Sequence, residues 1–179
     1  MRREVPEAVS QTTPVFRDIA VSNMTIRRAR VAINIEGLPE MPINGLRISN
    51  VVASGKAGMK AQHTAGMELH NVQINAESGL AFLVRESRDL ELDHVTTRTP
   101  VADAPVVRLD RSPGAIVRAS RAFEGTDTFL SAGPGELKSI VLEGNVLGSA
   151  RRPTVEVKAD YWKSAEPATE AEPAPARAK

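Results

Sequence analysis

The sequence predicts an all-β fold, a right-handed single-stranded parallel β-helix (solenoid) of about five to six rungs. Three observations carry this expectation. An alternating apolar motif recurs along the chain, each copy ends in a polar corner residue, and aromatic residues make up only 3% of the chain. A core built from Val, Ile, Leu, Met and Ala suits thin stacked strands better than a large globular interior.

Residues 1-13 are polar, carry no repeat and read as an N-terminal extension. The rungs occupy 14-158. The first holds Ile19-Ala20-Val21-Ser22-Asn23-Met24, the second Leu46-Arg47-Ile48-Ser49-Asn50-Val51, the third Met67-Glu68-Leu69-His70-Asn71-Val72 and the fourth Leu90-Glu91-Leu92-Asp93-His94-Val95. The corner positions 23, 50, 71 and 94 are separated by 27, 21 and 23 residues. Alternation within each copy describes a strand with one face buried. Such a unit cannot bury its apolar face alone and does so by stacking on the next.

Two further units are degenerate. Val117-Arg118-Ala119-Ser120-Arg121-Ala122 fits with Arg121 at the Asn position, and Ile140 to Val146 fits with one residue inserted. A second short apolar run follows most copies: Val31 to Ile35, Leu80 to Val84, Val106 to Leu109 and Thr128 to Leu130. Each rung therefore holds at least two strands and a corner. Val155-Glu156-Val157 reads as an end-capping strand, with Tyr161-Trp162 covering the last rung. Residues 159-179 form an Ala/Pro/Glu-rich tail. It lacks large apolar residues from about Lys163 onward, cannot offset its ordering entropy and is expected to be disordered.

Stacking in register implies lateral rows. One row is Ala20, Arg47, Glu68, Glu91, Arg118, with opposite charges at Arg47–Glu68 and Glu91–Arg118 and like charges at Glu68–Glu91. Another is Ser22, Ser49, His70, Asp93. Asn23, Asn50 and Asn71, turned inward, form an amide ladder that His94 continues, because stacked amides satisfy one another where burial would be costly. A leucine-rich repeat has similar length, but it places its Asn three positions after the second strand leucine and a leucine after that. Here the Asn follows at two positions and is succeeded by Met or Val.

Composition narrows the function classes. Lys+Arg is 23 and Asp+Glu 22, so no charge excess points to nucleic acid or an anionic membrane. No stretch reaches the roughly 20 apolar residues of a membrane helix. The chain contains no cysteine, which excludes disulfides and thiolate metal sites and leaves the compartment open. Met1-Arg2-Arg3-Glu4-Val5-Pro6 has no apolar run after it and is not a signal peptide.

Thr13-Pro14-Val15-Phe16-Arg17-Asp18-Ile19, then Ala32 to Ile43 with its Gly37-Leu38-Pro39-Glu40-Met41-Pro42 turn, resembles the late-rung region of bacterial polygalacturonase-like (family 28) glycoside hydrolases. Gly79 to Val84 and Thr99 to Leu109 resemble the end of the same proteins. The resemblance covers roughly residues 10 to 158. It implies a right-handed β-helix and, for complete members, inverting hydrolysis of galacturonan or related pectic glycosides. A pectic oligo- or polysaccharide is then the implied partner, and the parent family is usually secreted or periplasmic.

Inversion needs an acid carboxyl and a base carboxylate spaced to admit water. The family's Asn-x-Asp, Asp-Asp and Gly-His-Gly motifs are not in this sequence, and no rung carries its Arg-x-Lys. No two aspartates adjoin, His63 lies in Gln62-His63-Thr64, and Arg47-Ile48-Ser49 ends in Ser. The chain is accordingly expected to be a C-terminal portion that is inactive alone, with no catalytic, cofactor-binding or metal-binding residue assigned and no cofactor. The first rung then lacks a neighbour, and self-association through it is expected.

The remaining candidates have plainer readings. His70 and Asp93 read as a surface pair on adjacent rungs, and His94 as a ladder substitute. Asp89 and Asp93, if on one strand, stand roughly 13 Å apart, beyond the roughly 6.5–9.5 Å of an inverting pair. Glu36 and Glu40 read as a solvated loop, Arg27-Arg28-Ala29-Arg30 as an exposed turn, and Gly55 to Gly58 as a corner.

Overall fold

The computed structural model describes residues 6–157. They form a parallel β-helix of about six turns, and every strand pairing is parallel. Strands β1 (Arg17–Glu36) and β2 (Ile43–Gln62) each run through two faces. Their first halves open row A, continued by β4 (Glu68–Ala76), β6 (Glu91–Thr96), β8 (Ile116–Arg118) and β10 (Val141–Glu143). Their second halves open row B, continued by β5 (Phe82–Arg85), β7 (Val107–Asp110), β9 (Thr128–Ala132) and β11 (Arg152–Glu156). The short β3 (Thr64–Ala65) pairs with the start of β2.

The inward residues meet their equivalents above and below. Ile48, Leu69, Leu92 and Val117 stack in row A, and Met59, Phe82, Val107 and Leu130 in row B. All of them are buried, as the stacking argument requires. Val155 lies in β11, which pairs with β9, so the expected end strand is the row B strand of the sixth turn. Tyr161-Trp162 and the 159-179 tail lie outside the described residues.

The corners explain the choice of residue. Asn23, Asn50, Asn71 and His94 all have positive φ, between 53° and 55°. Left-handed backbone costs most L-residues about 1–2 kcal/mol, and asparagine tolerates it best after glycine. The ladder exists: Asn71 Nδ2 donates to Asn50 Oδ1 at 2.9 Å, and Asn50 Nδ2 to Asn23 Oδ1 at 3.3 Å. It runs outside the helix, however, since all three side chains are exposed. The expectation of an inward ladder is corrected: the amides satisfy a left-handed bend on the surface. Among the described residues no hydrogen bond joins His94 to Asn71, so the histidine continues the bend and not the bonding.

The last two corners also differ from expectation. Leu92 faces Val117 and Asp93 faces Arg118, which puts Ala119 (φ 48°) opposite His94, two residues before Arg121. Leu142 faces Val117 in turn, so Gly144 (φ 59°) takes the sixth corner with no insertion before it. The buried Ala115 fills the place of Leu90, and its small size hides the repeat. Glu91 consequently faces Ile116, and Arg118 joins the row of Asp93. The guanidinium still reaches Glu91 diagonally, besides lying 3.6 Å from Asp93.

A second left-handed column, Asp18, Gly45, Gly66, Asp89 and Gly114, precedes the first by five residues in each of the first five turns. It bends the chain into row A.

Candidate functional site

The densest arrangement of polar chemistry lies on the outer side of row B and at the corner after it. Gln62, Arg85 and Asp110 are lateral neighbours on β2, β5 and β7. The next residues, His63, Glu86 and Arg111, take positive φ of 53°, 46° and 49°. Two columns of three side chains result, alternating in charge across the Arg85–Asp110 and Glu86–Arg111 steps.

Buried hydroxyls hold this corner. Thr64 Oγ1 donates to Ser87 Oγ at 2.9 Å, and the Ser87 amide to Ser112 Oγ at 3.3 Å. Ser87 and Ser112 in turn donate to the carbonyls of Arg85 and Asp110. Those carbonyls also accept the His63 and Glu86 amides of the preceding turns, so each takes two bonds at the bend. One turn earlier Gly37 follows Glu36 as His63 follows Gln62, and a Cβ there would collide with the His63 carbonyl.

His63 Nε2 lies 3.2 Å from Glu86 Oε2 and 3.0 Å from Gln62 Nε2. Arg111 Nε donates to Glu86 Oε1 at 2.9 Å, with Nη2 also on that oxygen. Asp110 Oδ2 is 3.3 Å from Arg111 Nη1 and 3.5 Å from Arg85 Nε, and Oδ1 is 3.8 Å from Arg108 Nη2. Arg108 and Asp110 are 0% and 1% exposed. Arg108 Nη1 also donates to the Ala132 carbonyl at 2.9 Å. Guanidinium suits this setting, since it stays charged and offers planar donors in several directions.

Burial pushes the His63 pKa below the usual histidine value; Glu86, Glu36 and Glu40 oppose the shift and Arg85 adds to it. The ring is therefore neutral at pH 7. Burial alone would raise the Glu86 carboxyl, but the Arg111 hydrogen bond and the charges of Arg111, His63 and Arg85 hold it below the ordinary range. The Glu68 and Asp127 carboxyls are also lowered, by hydrogen bonds from Arg47 and Arg152. These shifts oppose what a general acid needs at neutral pH, a carboxyl held protonated.

The residues singled out from sequence fall as follows. His70 Nδ1 and Asp93 Oδ2 are 2.9 Å apart on adjacent turns, an exposed pair that Arg118 also approaches. Glu36 ends β1 and Glu40 sits in the Leu38–Met41 turn; both bear electrostatically on His63. Glu40 Oε2 is buried with no hydrogen-bond partner among the described residues, so this turn is not simply a solvated loop. Asp89 is a left-handed bend before β6, not part of a strand shared with Asp93. Arg27, Arg28 and Arg30 are exposed at the bend of β1. Gly55 to Gly58 lie within β2. Gly58 admits the carbonyls of Leu80 and Ala81, a packing role.

Sequence reasoning passed over Arg85, Glu86, Arg108, Asp110 and Arg111. A signal existed: Arg85-Glu86 and Asp110-Arg111 are 25 residues apart, the separation of the His94 and Ala119 corners. Among the described residues no cluster of three or more His, Cys, Asp or Glu side chains could hold a metal ion. Compared with protein-family models, curated proteins and solved structures, the chain matches none.

Proposed function

We propose that the chain is the C-terminal β-helix portion of a polygalacturonase-like glycoside hydrolase that, as a complete protein, hydrolyses pectic polysaccharide with inversion, and that this portion is inactive alone. The fold and the Gly37-Leu38-Pro39-Glu40-Met41-Pro42 turn support the resemblance, and the missing aspartate motifs account for the lack of catalysis. The observation that carries the non-catalytic part is electrostatic. The shifted carboxyls move down, and an inverting reaction needs one carboxyl held up. The purified chain should release no reducing ends from polygalacturonate, and measurable hydrolysis would defeat the reading. An in-frame upstream extension carrying Asn-x-Asp, Asp-Asp, Gly-His-Gly and Arg-x-Lys would establish the enzymatic parentage.

A second reading, a non-enzymatic carbohydrate-binding or scaffold β-helix, draws on one feature. Asn34, Glu36, Lys60, Gln62 and Arg85 line a shallow cleft on row B. Amide, ammonium and guanidinium donors of this kind suit sugar hydroxyls and uronate carboxylates. Calorimetric titration with oligogalacturonides separates the readings. Saturable binding lost in Lys60→Ala favours the scaffold; no heat of binding disfavours it.

A further inference from the structure

Outside the start of row A, Arg47 is paired with Glu68, and Arg118 with Glu91 and Asp93. Past the Asn71 and His94 corners the pattern changes. Alternation continues, with Val72, Ile74, Val95 and Thr97 buried and Gln73, Asn75 and Arg98 turned outward. Gln73 faces Thr96 and Asp93 faces Arg118. Counting on from those registers puts Asn75, Arg98 and Phe123 in one lateral column and Gln73, Thr96 and Arg121 in the next. Arg98 and Arg121 are exposed, and Phe123 is half-buried between them.

Both guanidiniums lie against that one ring. Arg98 Cζ is 4.9 Å from its centroid and Arg121 Cζ is 5.2 Å from it. Arg98 is also fixed by two hydrogen bonds. Its amide donates to Asn75 Oδ1 at 2.9 Å, and its Nε donates to Gln73 Oε1 at 3.1 Å. The paired Nη1 and Nη2 edge keeps its donors unused among the described residues. Neither arginine has an ion pair among the described residues, and the adjacent Glu124 is exposed and joined to neither. Two like charges on one ring repel, and an exposed cation–π contact offsets that only weakly.

An anion shared by both guanidiniums removes the repulsion. One guanidinium fork satisfies the two oxygens of a carboxylate, whereas a tetrahedral oxyanion offers three terminal oxygens, enough for two forks. A phosphate monoester also carries close to two charges at neutral pH, matching the two cations. We propose that Arg98 and Arg121, held on Phe123, form a binding site for a dianionic phosphate group. The site is independent of the polygalacturonase-like reading and of the row B cleft. Its residues lie on the third to fifth turns, with the second and sixth turns on either side, and none of them lines that cleft.

The test uses the full chain at neutral pH and three sources of the group. Inorganic phosphate and glucose 6-phosphate are titrated by calorimetry, and phosphatidylcholine vesicles containing phosphatidic acid are used in a sedimentation assay. Saturable binding with Kd of about 1 mM or tighter is expected for at least one source, and the tightest of the three identifies it as free ion, soluble ester or lipid head group. Acetate should bind at least about ten-fold more weakly than that source. R98K and R121K keep the charge, lose the planar fork and should each weaken binding about ten-fold. R27Q removes an exposed cation from the first turn and should leave binding within about two-fold of wild type. No saturable binding to any source up to about 10 mM, acetate binding as tightly as phosphate, lysine variants as tight as wild type, or R27Q as weak as the lysine variants would each overturn the proposal.

Discussion

Row A and row B share one core and differ on their outer faces. Outside row A stand Arg47, His70, Glu91, Asp93 and Arg118, exposed or half-buried, joined in pairs such as Arg47–Glu68 at 2.8 Å and His70–Asp93 at 2.9 Å. Outside row B, Asn34 and Glu36 of the first turn are exposed, whereas Leu83, Arg85, Arg108, Asp110 and Ser131 of the third to fifth turns are all buried. The same parallel ladder thus carries a solvated charge pattern on one side and a desolvated one on the other. An exposed pair is screened and contributes little. A desolvated charge must be matched by its neighbours or the fold loses several kcal/mol. Charge placement is therefore permissive on row A and exacting on row B.

The sharpest way to break this contrast is to remove one acid from each face. Asp110→Ala takes away the carboxylate among Arg85, Arg108 and Arg111, and should lower unfolding free energy by roughly 3–5 kcal/mol. Asp93→Ala removes the acid of an exposed pair and should cost no more than about 1 kcal/mol. Urea denaturation of both variants measures the difference. Equal losses would mean that the outer side of row B is solvated like that of row A.

The pH dependence of stability sharpens the comparison and should be smaller. Folding lowers the His63 pKa, so below pH 6.5 the unfolded chain takes up a proton the folded chain resists. Stability is full above that pH and falls as pH drops toward the folded pKa. Glu86, lowered from 4.5, adds a second loss at more acid pH, as its carboxylate is protonated. In H63Q the loss beginning near 6.5 should flatten while the lower one persists, measured by urea midpoints across the pH range. An unchanged upper limb would assign it to another group.

The contrast between the rows also governs what can be read from residues alone. Row A was legible because Leu46-Arg47-Ile48 and its copies alternate buried and exposed, the signature of a strand with one wet face. In β5 and β7 every residue is buried, so alternation fails and Arg85, Arg108 and Asp110 look like ordinary surface charges. Their burial is a property of the assembled stack and not of any local window. The inward ladder failed for a related reason. A residue's chemistry suggested burial of Asn50, while its backbone, at φ 54°, uses asparagine for the bend. The Ala119 corner was misplaced because nothing in a lone alanine marks a left-handed turn.

That last corner gives the smallest and most discriminating prediction. Asn50→Ala should cost about 1–2 kcal/mol, since it loses two exposed amide bonds and strains a left-handed bend. Asn50→Gly keeps the bend and loses only the bonds, so most of the stability should return. Ala119 already bears the strain, at φ 48°. Ala119→Gly should therefore stabilise by about 0.5–1 kcal/mol, against the usual direction for a glycine substitution in a sheet. Urea midpoints for the three variants separate backbone from side chain. If Asn50→Gly falls as far as Asn50→Ala and Ala119→Gly gains nothing, amide bonding sets the corner and the residue types at 119 and 144 lose their explanation. If glycine rescues both, the turns of this helix are closed by backbone conformation. The asparagines would then be the repeat's most visible mark without being its main support.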